Sequence, residues 1–202
     1  MVIINEFKEL FPYIYMDIIA TLIPLIKTDY IHALETGTIR SYHEKHESTR
    51  WFGENIKNGD IISIDNSPES IKISKDICKH LNNIKWIEDD SVKYLKTLDD
   101  NFFDIILLDS VNDKDHIYEE FKIALKLIKT GGILMIDDFG VSPGFQIPDP
   151  TQPHAQKGRE VFNQLKSNNL MHHFKIHQIG EGTQAIFINV SDELKNFNFS
   201  GV

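Results

Sequence analysis

The sequence predicts an α/β fold in which a mostly parallel sheet carries helices on both faces. Short apolar runs alternate with amphipathic stretches of helical length, a pattern typical of buried parallel strands covered by helices. Five such runs are expected to be strands, at 30–35, 60–65, 84–88, 103–109 and 132–137. Two further runs, 174–179 and 183–190, flank a Gly-Glu-Gly turn and predict a hairpin. The expected sheet therefore has seven strands, with an antiparallel C-terminal pair.

The stretches between these runs predict the helices. Residues 3–26 carry apolar side chains at helical spacing, which predicts an N-terminal helical extension over 1–28. The sheet is expected within 29–202, and the whole chain, 1–202, is expected to be a single domain because no linker or repeat divides it. Its segment 139–155, rich in Pro and Gly, is long for a connection and predicts a lid or a substrate loop. Helices are predicted at 47–57, 68–81, 91–98, 114–129 and 155–167.

Composition and charge restrict the class of protein. The chain of 202 residues has 21 Lys and Arg against 30 Asp and Glu, a formal charge of -9, which argues against nucleic acid or an anionic membrane as the main partner. The single Cys78 fits a reducing compartment. No run approaches the roughly 20 apolar residues of a membrane span, and Glu6 and Glu9 lie where a signal peptide is basic. A cytoplasmic protein is expected.

A carboxylate is the last residue of each of the first five predicted strands. Glu35, Asp65, Asp109 and Asp137 end four of them, and Glu88, which ends the third strand, is followed by Asp89 and Asp90. The carboxyl ends of parallel strands meet at one edge of a sheet, where α/β proteins bind ligands. A single Asp there is as easily explained as a helix cap. The set is better explained as a ligand-binding edge.

The residues after the first three strands indicate the kind of ligand. Glu35-Thr36-Gly37-Thr38 offers an acid and a glycine that permits close approach, but lacks the Gly-x-Gly-x-x-Gly pattern that admits a pyrophosphate. Asp65 is placed to bind the two hydroxyls of a ribose, and Asp90-Ser91 to contact an adenine ring. A ligand with adenine, ribose and a positive centre, but no phosphate, meets these conditions.

With these motifs the chain resembles the class I S-adenosylmethionine-dependent methyltransferases over residues 30–190. The resemblance implies a Rossmann-like sheet and S-adenosylmethionine as cofactor. It is strongest to small metal-dependent O-methyltransferases, the catechol type and the macrocin/novobiocin sugar type, which have Asp at the end of the fourth strand and Asp-Asp or Asp-Asn at the end of the fifth. The resemblance implies the following cofactor-binding residues: Glu35, Thr36, Gly37, Thr38, Asp65, Asp90, Ser91 and Asp109.

The same resemblance implies a metal site at Asp109, Asp137 and Asp138. Three carboxylates in one cleft need a cation or a raised pKa. Oxygen-only ligation fits Mg²⁺, with Mn²⁺ or Ca²⁺ as further possibilities, and a hydroxyl bound to such a cation loses its proton more easily. The alternative is that Asp137-Asp138 only ends a strand and starts a turn.

The general base is less clearly marked. The catechol type has Lys three positions after its first metal Asp, where this chain has Asn112. His116 is the best candidate for a general base or an acceptor contact, since its ordinary pKa lies near neutrality; a solvent-facing His at a helix start is the alternative. Asp109 could itself accept the proton. The segment 39–49 also lacks the small-residue turn that usually follows the first motif.

The predicted function is O-methylation of a small hydroxylated acceptor, with S-adenosylmethionine and a divalent cation. A sugar hydroxyl or a vicinal diol is the preferred acceptor by resemblance, and Phe139, Phe145 and His154 are candidates to line its pocket. His43 and His46 either are solvated or cover the cofactor. The alternatives are a metal-independent methyltransferase acting on oxygen or nitrogen, and a non-catalytic cofactor-binding protein. The apolar N-terminal helices could pair in a homodimer.

Overall fold

The structure, a computed structural model, describes residues 18–42, 47–141, 157–179 and 182–199. Their central feature is a seven-stranded sheet in the order β3-β2-β1-β4-β5-β7-β6. The first five strands are parallel, and β7 runs antiparallel to both β5 and β6. The strands are β1 (Ile31–Thr36), β2 (Gly59–Asp65), β3 (Ile84–Glu88), β4 (Phe103–Leu108), β5 (Ile128–Ile136), β6 (Lys175–Ile179) and β7 (Gly182–Ile188). The predicted fold is confirmed.

Helices alternate with the parallel strands, and polar side chains fix where several begin. Ser67 Oγ accepts from the N–H of Ser70 at 3.2 Å, and Asp113 Oδ1 accepts from the N–H of Asp115 and His116 at 2.8 and 2.9 Å. The helices are α1 (Ile18–Leu22), α2 (Ser48–Asn55), α3 (Pro68–Ile77), α4 (Ser91–Leu95), α5 (Lys114–Leu127), α6 (Arg159–Ser167) and α7 (Asp192–Lys195). Short 3₁₀ turns lie at Ile23–Leu25 and Met171–His173.

The core lies on both faces of the sheet because successive strand side chains point to opposite sides. In β4, Ile105 and Leu107 belong to the apolar cluster that contains Phe52 of α2. Ile106 and Leu108 belong to the other cluster, with Phe121 of α5. All six residues of β4 are buried, which explains why its last four, Ile105 to Leu108, are a continuous apolar run rather than an alternating one.

The start of β5 differs from the prediction. The strand begins at Ile128, inside the predicted helix 114–129 and before the predicted strand start at 132. Phe103 of β4 pairs with Ile128 and Ile105 pairs with Ile133, so the register shifts between them. Gly131 takes up the irregularity with a φ of +85°.

Several predicted segments lie wholly or largely outside the described residues. Of the N-terminal extension 1–28, the structure describes α1 and the 3₁₀ turn that follows it. The substrate loop 139–155 is described only as far as Val141. Among the described residues, none of the helices combines the length and the apolar character that crossing a membrane requires.

The strand order places a crevice between β1 and β4. The chain moves outward from β1 to β3 on one side of the sheet, and from β4 to β5 on the other. Loops after β1 and β4 therefore lead away from each other at the carboxyl ends of the strands. This is the edge to which the sequence assigned its carboxylates.

Candidate functional site

A cavity of about 290 Å³ opens at the carboxyl ends of β1, β2 and β4. Its volume is close to the lower end of small-molecule sites, roughly 300–1,000 Å³. Five residues predicted to bind ligand or react line it, namely Gly37, Asp65, Asp90, Ser91 and His116. Ile64, Asn66, Asp89, Ser110 and Val111 complete the wall. The structure therefore brings together side chains that are far apart in the sequence.

Asp65, the last residue of β2, is held in place by two backbone amides. Its Oδ2 accepts from the N–H of Thr38 at 3.1 Å, and its Oδ1 accepts from the N–H of Ser67 at 2.8 Å. Each carboxylate oxygen has a second acceptor position. The side chain can therefore be fixed by the protein and still receive two hydroxyl groups from a ligand in the cavity.

Gly37 makes the close approach between β1 and β4 possible. Its φ is +83°, and a Cβ at this position would lie 2.3 Å from the backbone oxygen of Asp109. Its N–H donates to the carbonyl of Ile64 at 2.8 Å. No other residue type fits here without moving the end of β4. The glycine thus keeps the cavity floor and Asp109 next to each other.

His116 faces the predicted adenine side of the cavity. Its Nε2 lies 2.9 Å from Ser91 Oγ and 3.3 Å from Glu120 Oε1. Hydrogen bonding to Glu120 raises the pKa of His116 above its ordinary value, against the opposing effect of partial burial. Glu120 Oε2 in turn accepts from Thr36 Oγ1 at 3.0 Å. The polar chain therefore runs from the cavity wall into the protein.

Glu35 lies below the cavity rather than in its wall. The side chain is fully buried, and its two oxygens accept from Ser48, from Thr49 Oγ1 at 2.6 Å and from Ser63 Oγ at 2.9 Å. Burial raises its pKa to about 7, although these hydroxyls lower it. Glu35 was predicted to bind the cofactor, but here it is buried beneath the cavity and connects β1 to α2 and β2.

Thr36 and Thr38 are also buried and support the site indirectly. Thr38 Oγ1 contacts Thr49 Oγ1 at 3.1 Å and Ser74 Oγ at 2.7 Å. Thr36 Oγ1 accepts from the N–H of Asp109 at 3.3 Å. Neither is among the residues that line the cavity. They connect the first loop to α2, α3 and the end of β4.

Asp90 and Ser110 show how the cavity could hold a polar ligand. Asp90 Oδ1 accepts from the N–H of Lys93 at 2.8 Å, so this residue caps α4 as well as lining the cavity. Ser110 Oγ is buried and has no hydrogen-bond partner among the described residues. A buried hydroxyl without a partner is unfavourable. A ligand in the cavity would supply the missing partner, which fits an adenosyl cofactor.

A second cluster contains the three carboxylates at the ends of β4 and β5. Asp109 Oδ1 pairs with the ammonium group of Lys157, whose side chain is only 2% exposed. Asp137 Oδ1 accepts from Gln184 Nε2 at 2.6 Å. Burial and the negative charges of Asp109 and Asp138 raise the pKa of Asp137 to about 7, while Lys157 lowers it. The ammonium group of Lys157 and the raised pKa of Asp137 therefore both reduce the repulsion among the three carboxylates.

This arrangement does not fit the divalent cation predicted for Asp109, Asp137 and Asp138. One oxygen of Asp109 is bound to an ammonium group and one of Asp137 to an amide N–H. In the described part of the chain, one group of three potential ligands lies close enough to hold an ion. It consists of His172, His173 and Glu193, on the 3₁₀ turn before β6 and on α7. The predicted carboxylates are not that group.

Four contributors to the two clusters were missed in the sequence. Lys157 and Gln184 lie 48 and 47 residues after their partners, and no spacing connects such distant positions. Ser110 directly follows a predicted site residue and could have been included. Glu120 lies four residues after His116, a spacing that places both on one face of a helix. That last signal was present in the sequence.

Phe139 is a core residue, so the prediction that it lines an acceptor pocket is wrong. Its side chain is fully buried, and its ring packs against Phe174 with centroids 5.5 Å apart. Its N–H donates to the carbonyl of Thr183 at 2.7 Å. Phe145 and His154, and the histidines His43 and His46, lie outside the described residues.

Comparison with known proteins gives a family-model match over part of the chain and several structures with the same fold. Residues 47–139 match the family model described as a methyltransferase domain. No curated protein matches the sequence. A solved candidate O-methyltransferase from Klebsiella pneumoniae is similar, with 16% identity, a TM-score of 0.64, and coverage of 93% of this chain and 88% of that chain.

Two other solved structures have the same fold. Cofactor-bound Rv0187 from MTB shares 15% identity at a TM-score of 0.68, over 90% of this chain and 84% of that chain. An rRNA methylase from Streptococcus thermophilus shares 10% identity at a TM-score of 0.60, over 88% of this chain and 99% of that chain. At these identities the likeness establishes the fold and leaves the acceptor open.

Proposed function

We propose that this chain, a class I methyltransferase that uses S-adenosylmethionine, transfers a methyl group to a hydroxyl oxygen of a small acceptor. The observation that carries the proposal is the cavity at the β1–β4 crevice, which is lined by Gly37, Asp65 and Ser91. They do so at the strand edge where sheets of this topology bind ligands. The family match to a methyltransferase domain includes Asp65 and Ser91.

The residues of the cavity have distinct proposed roles toward the cofactor. Asp65 would accept from the ribose hydroxyls, Asp90 and Ser91 would lie beside the adenine, and Ser110 would use its unpartnered hydroxyl. When bound, the cofactor would supply an electrophilic methyl group on a positively charged sulfur. An acidic cavity wall favours such a cation and disfavours phosphates.

The protein would contribute mainly orientation and a proton acceptor. Asp109 is the proposed proton acceptor, because it ends β4 beside Gly37 and belongs to the carboxylate cluster as well. A carboxylate held by fixed partners can align an acceptor hydroxyl without moving. His116 is the second candidate, although its contacts with Ser91 and Glu120 place it on the cofactor side.

Two observations favour a small acceptor with hydroxyl groups. One similar structure is described as a candidate O-methyltransferase. The formal charge of -9 disfavours RNA as the acceptor, although an rRNA methylase shares the fold. A sugar hydroxyl or a vicinal diol is the proposed acceptor group. The divalent cation expected from the sequence does not fit Asp109 and Asp137 in their present contacts, and no step proposed here requires it.

A labelling experiment tests the proposed reaction. The protein is incubated with methyl-labelled S-adenosylmethionine and, in separate reactions, with catechols, sugar diols, primary amines and total RNA. We expect label in an O-methyl ether of a small acceptor, identified by mass spectrometry. Label confined to nitrogen or to RNA would contradict the proposal. Cofactor binding without transfer to any of these, or to a cell metabolite extract, would instead support the non-catalytic alternative.

A further inference from the structure

Lys157 is a buried lysine whose partner is one of the carboxylates predicted to bind metal. Its side chain is 2% exposed and its ammonium group pairs with Asp109 Oδ1, while Asp109 is 23% exposed. An unpaired ammonium at such burial would be strongly unfavourable. The ion pair is therefore a fixed part of this edge of the sheet, unlike the surface pairs of exposed lysines.

The fold holds Lys157 against the ends of β4 and β5. The next residue, Gly158, packs so closely on the ring of Phe139 that a Cβ there would lie 2.0 Å from a ring carbon. Phe139 directly follows Asp138, and its N–H is bound to Thr183 of β7 at 2.7 Å. The start of α6 is thus fixed to the same chain segment that carries Asp137 and Asp138.

A divalent cation at these carboxylates would have to share Asp109 with an ammonium group. Two cations on one carboxylate repel each other, and the repulsion is strong where water is largely excluded. The amide of Gln184 already occupies an oxygen of Asp137. Displacing Lys157 would leave a buried charge without a partner. The residues therefore favour the ammonium group over a metal ion.

We propose that Lys157 takes the place of a divalent cation at Asp109, so that methyl transfer by this chain needs no metal ion. This inference rests on the proposed function and specifies which group supplies the positive charge at the carboxylates. Lys157 is a positioning residue in this account. It offsets one of three negative charges and holds the Asp109 carboxylate in one orientation beside the cofactor cavity.

Manganese binding tests the charge substitution without any acceptor or cofactor. Mn²⁺ is titrated by electron paramagnetic resonance into the full chain carrying His172→Ala, which removes the separate His172, His173 and Glu193 group. In this background we expect the Lys157→Met protein to bind Mn²⁺ at least about tenfold more tightly than the protein that retains Lys157, because the competing charge is gone. Adding Asp109→Asn should remove the gained binding. Lys157→Arg, which keeps the charge, should bind Mn²⁺ no more tightly than the protein that retains Lys157.

Lys166→Met is the matched control, since Lys166 lies exposed on the same helix, α6, away from the carboxylates. It should leave Mn²⁺ binding unchanged. Mn²⁺ binding by the protein that retains Lys157 would overturn the proposal if it were as tight as that of Lys157→Met and were lost with Asp109→Asn. So would a folded Lys157→Met variant, checked by circular dichroism, that gains no Mn²⁺ binding.

The unmodified protein provides a second arm that needs no variant. Methyl transfer, measured in EDTA and again with excess Mg²⁺, should differ by less than about twofold if Lys157 supplies the positive charge. A rate that collapses in EDTA and returns with Mg²⁺ would overturn the proposal. Absence of transfer under both conditions would instead count against the proposed function, while the manganese arm would still decide the role of Lys157.

Discussion

At the scale of single residues, the cavity depends on side chains whose charge and orientation are set by neighbouring groups. Asp65 shows this most simply, since two backbone N–H groups fix its carboxylate toward the cavity. Glu35 shows the opposite case, a carboxyl group that burial keeps from ionising easily. The two acids were equivalent in the sequence pattern. Their different surroundings give one a proposed ligand contact and the other a structural role.

Asp65→Asn should weaken binding of S-adenosylhomocysteine by roughly tenfold to a hundredfold, because it removes the charged acceptor proposed for the ribose hydroxyls. Equilibrium dialysis with labelled S-adenosylhomocysteine measures the change. Asp60→Asn is the control, because Asp60 lies near the opposite end of β2, where it contacts His32. Equal affinities for the two variants would remove Asp65 from the site.

Glu35→Gln should change how stability depends on pH. The pKa of Glu35 is raised from 4.5 to about 7 in the folded protein, so its protonated form favours folding. That contribution is complete below about pH 4.5 and is lost as the pH rises through about 7. Gln does not ionise, so the variant lacks this pH dependence. Between about pH 5 and pH 8, its free energy of unfolding should rise relative to that of the wild type by up to about 3 kcal/mol.

Urea denaturation at the two pH values gives the free energies of unfolding for this comparison. Glu119→Gln serves as the control, because Glu119 is exposed on α5 and should shift both values alike. Identical pH dependence of the wild type and Glu35→Gln would mean that Glu35 ionises as easily in the folded protein as in the unfolded chain.

At the scale of elements, strands and helices followed from the sequence more readily than the contacts between their ends. The apolar runs predicted each described strand, and four of the five helices predicted after β1 begin within one residue of the predicted start. Their predicted ends run two to four residues too far, and α7 was not predicted. The start of β5 was mispredicted, since its pairing with β4 is irregular at Gly131 and Gly132. Such an irregularity depends on the partner strand, which local patterns do not specify.

Gly37→Ala should separate the ends of β1 and β4. The substitution combines an unfavourable positive φ with a Cβ 2.3 Å from the oxygen of Asp109. We expect a loss of about 2–4 kcal/mol in the free energy of unfolding. The free energy of binding S-adenosylhomocysteine should be reduced by a larger fraction than the free energy of unfolding. Urea denaturation and equilibrium dialysis measure the two effects.

Gly131→Ala is a matched control for the backbone strain alone. Gly131 has nearly the same φ, +85°, and a Cβ there would meet nothing within 4 Å. The free energy of unfolding of Gly131→Ala should therefore fall only by the backbone strain, about 1–2 kcal/mol, and the variant should keep its cofactor affinity. If the two variants behaved alike, the close approach of Gly37 to Asp109 would have no role in the cavity.

At the scale of the whole molecule, the sheet order explains why the site exists and why part of it escaped prediction. Alternating strands and helices indicated a sheet with a ligand edge, and the motifs after β1, β2 and β3 indicated an adenosyl cofactor. The cluster of Asp109 and Asp137 was also foreseen. Lys157 and Gln184 were not, because they reach that cluster from α6 and β7 across the antiparallel end of the sheet. Their contacts exist only after folding.

The most direct test of the central claim is calorimetric titration of the wild-type protein with S-adenosylhomocysteine, with ATP as the comparison ligand. The account predicts saturable binding at one site per chain, equal in EDTA and in Mg²⁺. It also predicts much weaker binding of ATP, since the acidic wall of Asp65, Asp89 and Asp90 repels phosphates. Absence of S-adenosylhomocysteine binding in both buffers, or tighter binding of ATP, would contradict the assignment of this cavity to the methyl-donor cofactor.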